Sequence, residues 1–117
     1  MNIEEKIAAI VGALEDIKAS DITVLDTTSL TSLFERVVIA SADSSRQTKA
    51  LAVNVRDKMK ELGEHVVGME GEQTGEWVLV DLGDIVVHIM NPAVRAHYNL
   101  EELWDAGILA RAKRAAQ

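Results

Sequence analysis

Two strand-forming runs joined by a short acidic turn constrain this chain more than any other feature. Residues 77–80 read Trp-Val-Leu-Val, residues 85–90 read Ile-Val-Val-His-Ile-Met, and Asp81-Leu82-Gly83-Asp84 lies between them. β-Branched runs of this length favour strands, and Gly83 can take the positive φ that a tight turn needs. The segment therefore predicts a hairpin. Alternation along its first strand places Trp77 and Asp81 on one sheet face. By the same alternation His88 faces away from Val87 and Ile89. The chain has only four aromatic residues besides histidine, and Trp77, Tyr98 and Trp104 are three of them. Aromatics beside carboxylates on a regular scaffold suit a recognition surface better than a reaction centre.

The other elements follow from periodicity and punctuation. Ile3, Ile7, Ile10, Val11, Leu14 and Ile17 recur at helical spacing, and Asn2 with Glu5 forms a capping-box pattern. Residues 22–25 read as a short buried strand, 27–33 as a hydroxyl-rich loop, and 37–40 as a second apolar strand. A long helix should start at Asp43 or Ser44, carry Thr48, Leu51, Ala52, Val55, Met59 and Leu62 on one stripe, and stop at Gly63. Residues 66–69 read as a third strand, and 71–75 as a turn. Asn91-Pro92 opens a short helix to about His97. The order predicts one α/β domain, residues 1–104, with a mixed five-stranded sheet flanked by helices. If strands 37–40 and 66–69 are parallel, the long helix makes a right-handed crossover between them. An Ala/Arg-rich tail, 105–117, follows.

Composition narrows the function. A chain of 117 residues can bury about two-thirds of its unfolded surface in one core. Its formal net charge of −7 disfavours a phosphate-tracking nucleic-acid binder and favours a basic partner or a merely soluble surface. The absence of cysteine excludes disulfides and thiolate metal sites. No run is long enough to span a bilayer, and the first 19 residues resemble neither a signal nor a transit peptide, so a cytoplasmic location is expected.

Candidate chemistry is sparse. Asp81 and Asp84 are three apart across a turn and need not converge on a cation; turn aspartates mostly serve structure. Ser44 and Ser45 fit helix capping better than nucleophilic or phosphate-binding roles, since Asp43 would repel an anion. His65, His88 and His97 have no metal-motif spacing. Arg46, in the first helical turn, would pair with Asp43 or another acid. Trp77, Tyr98 and Trp104 fit either core anchors or exposed hot spots.

Three segments carry a family resemblance: Val38-Ile39-Ala40-Ser41 with Ser44-Ser45-Arg46-Gln47; Glu70-Gly71 with the run from Glu76 to His88; and Tyr98-x-Leu100-Glu101-x-Leu103-Trp104. Together they resemble the ribosomal silencing factor family, also called the Iojap family. The resemblance implies a nucleotidyltransferase-like fold without the catalytic motif, no cofactor and no enzymatic activity. It further implies binding to the large ribosomal subunit through a basic protein on its intersubunit face, ribosomal protein number fourteen. Such a factor sterically blocks subunit joining and lowers translation when nutrients run short. By motif position the contact maps to Trp77, Asp81 and Tyr98, then Val78, Leu82, Gly83, Asp84 and Leu100. The sequence differs from the family pattern at Ala42, Asp43, Arg36 and Asn99, the last replacing an acid. Homodimer formation stays open, no nucleic-acid specificity is expected, and an assembly role or a metal-dependent nucleotidyltransferase are the alternatives.

Overall fold

The sheet is built from both local pairing and one long-range parallel contact. A computed structural model of the chain describes residues 1–104; the expected tail, 105–117, lies outside the described residues. The elements are α1 (Ile3–Asp16), β1 (Ser20–Asp26), β2 (Arg36–Ser41), α2 (Ser45–Glu61), β3 (Gly68–Glu70), β4 (Trp77–Asp81), β5 (Ile85–Met90), α3 (Pro92–Tyr98) and α4 (Leu100–Leu103). The strand order is β1-β2-β5-β4-β3, with β2 and β5 parallel and every other pair antiparallel. The hairpin forms as expected. Leu82 N–H donates to the Ile85 carbonyl at 2.9 Å, and Gly83 takes φ 86°.

Caps fix the helix ends. Asn2 and Glu5 exchange both bonds of a capping box on α1. Ser44, not Asp43, caps α2 by accepting from Gln47 N–H at 3.1 Å. Asn91 accepts from Val94 N–H ahead of Pro92. Helices α1 and α2 cover one sheet face, enclosing Ile10, Leu14, Leu51, Val55, Met59, Val38, Val78, Val80, Ile85, Val87 and Ile89. Each such enclosed aliphatic side chain contributes about 1.5–3 kcal/mol relative to exposure. The opposite face buries Val37, Ile39 and Met90, with Leu25, Phe34, Trp77, Val94, Leu100 and Trp104 packed on them.

Three expectations need correction. The strand expected at residues 22–25 is a longer edge strand, half exposed, because only β2 pairs with it. The strand expected at 66–69 starts at Gly68. β2 and β3 run in the same direction, which meets the condition set for a crossover through α2, and β5 and β4 lie between them. Leu62 is 40% exposed, since α2 has already ended and Leu62 sits beside Gly63 at φ 81°. The local pattern identified these strands; only long-range pairing decided their order.

Candidate functional site

Alternation along β4 separates the candidate residues into two sets. Trp77, Leu79 and Asp81 point to the sheet face opposite α1 and α2, where they stand across from Met90, His88 and Val86 respectively. Val78 is wholly enclosed under the two helices, and Leu82 is buried in the same cluster. These two therefore cannot present side chains beside Trp77, although the motif positions include them. The period of two that unites Trp77 with Asp81 excludes Val78.

The remaining surface is organised around Trp77. Its indole Nε1 donates to His88 Nδ1 at 3.0 Å, a diagonal contact between the two hairpin strands. The proton of the neutral imidazole then sits on Nε2. His88 is only 9% exposed, and burial pushes its pKa down to about 4. On its other side Trp77 meets Tyr98, with ring centroids 4.9 Å apart and planes inclined by 50°. Tyr98 is 57% exposed. Backbone packing is tight at the start of β4: a side chain at Gly71 would collide with the Trp77 carbonyl, and Gly71 has φ 89°. Trp77 is thus both a partial core anchor and the floor of an exposed aromatic pair.

An apolar groove of about 610 Å³ runs along the same face. Leu79, Asp81, Gly83, His88, Leu100 and Trp104 are among the residues lining it. Asp81 Oδ1 accepts from Gly83 N–H at 2.9 Å, which ties the carboxylate to its own turn. Asp84 is committed elsewhere, to Lys6 Nζ of α1 at 2.8 Å. That pairing raises the lysine pKa, chiefly through the Asp84 hydrogen bond. The two aspartates thus have different partners, and no group of three His, Asp or Glu side chains is placed to hold a metal among the described residues.

Arg95 positions this surface and was not recognised in the sequence. Its guanidinium donates to the Asp21 carbonyl at 2.6 Å, Ser41 Oγ at 2.9 Å and Thr23 Oγ1 at 3.0 Å, and its Nε to Glu101. The side chain is 13% exposed. It fastens α3 and α4, which carry Tyr98 and Leu100, to the β1–β2 end of the sheet. The carbonyl it reaches belongs to the irregular register at the start of β1, where Asp21 has φ 49°. A lone arginine on a seven-residue helix gives no signal of such reach. Asn99 also has a backbone role: at φ 49° it joins α3 to α4 in the left-handed conformation that asparagine tolerates.

The Ser44-Ser45-Arg46-Gln47 piece serves structure. Gln47 Oε1 accepts from Asp43 N–H at 2.6 Å, while Nε2 donates to the Ile17 and Lys18 carbonyls at 3.0 and 3.1 Å. It clamps the end of α1 to the start of α2. Arg46 makes no ion pair with Asp43 or any other described acid.

A family model described as "Ribosomal silencing factor during starvation" matches residues 1–116. The chain belongs to the ribosomal silencing factor family. A ribosomal silencing factor of Chromobacterium violaceum is 57% identical over 104 residues, covering 89% of this chain and 85% of that protein. A crystal structure of a Chromobacterium violaceum protein superposes with a TM-score of 0.88 at 57% identity, over 89% of this chain and 87% of that one. A more distant relative, 32% identical, is the mouse "Mitochondrial assembly of ribosomal large subunit protein 1"; the match covers 81% of this chain and 43% of that protein. In this silencing-factor chain the motif aromatics Trp77 and Tyr98 form one contiguous pair.

Proposed function

We propose that this chain docks on the large ribosomal subunit through the Trp77–Tyr98 face and sterically blocks subunit joining. The partner implied by the family resemblance is ribosomal protein number fourteen, a basic protein on the intersubunit face. The observation that carries the reading is the half-buried indole braced by His88 and covered by an exposed tyrosine. Rigid aromatics beside a carboxylate give anchor energy and charge complementarity to a basic surface. Asp81, Gly83 and Leu100 border the same groove and extend the contact. Asp84 lies outside it, paired with Lys6. The net charge of −7 favours encounter with a basic protein in the cytoplasm.

The reading is non-enzymatic. Silencing needs only occupancy: the small subunit cannot take a surface that the factor already covers. A role in large-subunit assembly is the second reading, favoured by the name of the mouse relative. Sedimentation separates the two. Mixed with subunits, the protein should travel with large subunits and lower the yield of joined ribosomes. Equal recovery on large subunits and joined ribosomes would exclude blocking and leave assembly.

A further inference from the structure

Net charge is a sum over the whole chain, and α2 departs from its sign. The helix carries five basic side chains against two acidic ones, in a chain of net charge −7. Four of the five, Arg46, Lys49, Arg56 and Lys60, are spaced by three, seven and four residues, which puts them in one stripe along the helix. Val53 fills the stripe between Lys49 and Arg56. The stripe borders a groove of about 470 Å³ between α2 and the β3 edge. Lys49, Arg56 and Lys60 line it together with Glu72, the one carboxylate there.

These cations are available, whereas three others among the described residues are fastened down. Lys6, Arg36 and Arg95 are tied to carboxylates of other elements. Arg56 pairs only with its exposed neighbour Asp57, at 3.0 Å, an arrangement worth little in water. Arg46, Lys49 and Lys60 have no ion-pair partner among the described residues. From Lys49 to Lys60 the stripe runs about 16 Å along the helix axis.

One loop, from β3 to β4, touches both the start of β4 and the N-terminal turn of α2. Gly71 lies against the Trp77 carbonyl, and Gly75 is packed against Ser45 and the Lys49 side chain.

We propose that the α2 stripe contacts the phosphate backbone of a large-subunit RNA, away from the Trp77–Tyr98 face and without reading its sequence. This rests on the large-subunit reading above, because it is there that an acidic factor must approach a polyanion. Local cations offset the repulsion and release counterions from the RNA. An acidic peptide is the competing occupant, and the test includes it.

The experiment uses the full chain and a Lys49→Gln, Arg56→Gln, Lys60→Gln variant, since glutamine keeps helix propensity and removes charge. Fluorescence anisotropy with an oligouridylate at low salt measures RNA contact directly. Pelleting with purified large subunits over a KCl series measures it in place. The wild type should bind the oligouridylate and the variant should not. The slope of log affinity against log salt on subunits should fall by about 2, near 0.7 per charge removed. An unchanged slope in a variant that melts normally overturns the proposal while leaving the docking reading intact. So does a polyglutamate peptide binding more tightly than the oligouridylate. Failure of the wild type to pellet with subunits overturns the docking reading instead. The oligouridylate measurement, which involves no ribosome, then still decides the stripe.

Discussion

Trp77 and His88 are joined by an indole N–H donated to a buried imidazole nitrogen at 3.0 Å. The bond works only with neutral His88, and burial holds its pKa down at about 4. The unfolded chain binds a proton near pH 6.5, whereas the folded chain does not until about pH 4. Stability contributed by the neutral form is therefore intact above pH 6.5 and lost as pH falls toward 4. The full loss is about 3 kcal/mol. Thermal melts between pH 7.5 and 4 should show this decline, and His88→Asn should flatten it while keeping an acceptor for the indole.

Arg95 ties the α3–α4 segment to the bulged start of β1. Arg95→Met should cost on the order of 3 kcal/mol, because Glu101, Ser41, Thr23 and the Asp21 carbonyl lose a shared donor. Urea unfolding measures the loss. Ribosome pelleting should weaken as well, since Tyr98 and Leu100 lose their fixed position.

The two turn carboxylates should separate by effect. Asp84→Asn breaks a partly buried bridge to Lys6, costs about 1 kcal/mol of stability, and leaves subunit binding unchanged. Asp81→Asn should leave melting nearly unchanged, weaken subunit binding and flatten its salt dependence. Pelleting over a salt series with both variants is the check.

Much of this was legible in the sequence because it is local. The capping box at Asn2 and Glu5, the hairpin around Gly83, and the shared face of Trp77 and Asp81 all follow from spacings of a few residues. Strand order was not legible, because β2 pairs with β5 across an intervening helix and two strands. The same limit explains the surface. Motif position grouped Val78 and Leu82 with Trp77, but side-chain direction sends both into the core. Arg95 and Gln47 reach partners 74 and 30 residues away, and no local pattern encodes such reach. Net charge concealed the α2 stripe, since a sum carries no positions.

Trp77 and Tyr98 should differ in what their loss does to the fold. Trp77→Ala removes the partner of His88 and part of a core cluster, and should cost about 3 kcal/mol of stability as well as binding. Tyr98→Ala removes a largely exposed ring and should leave the melting temperature nearly unchanged.

Tyr98→Ala therefore tests the central claim most directly, in a light-scattering assay of subunit joining. Wild-type protein should lower the extent of joining. A normally folded Tyr98→Ala variant should need at least tenfold more protein for the same effect, about 1.4 kcal/mol of binding. A variant that melts normally and blocks joining as well as the wild type would contradict the aromatic face as the docking surface.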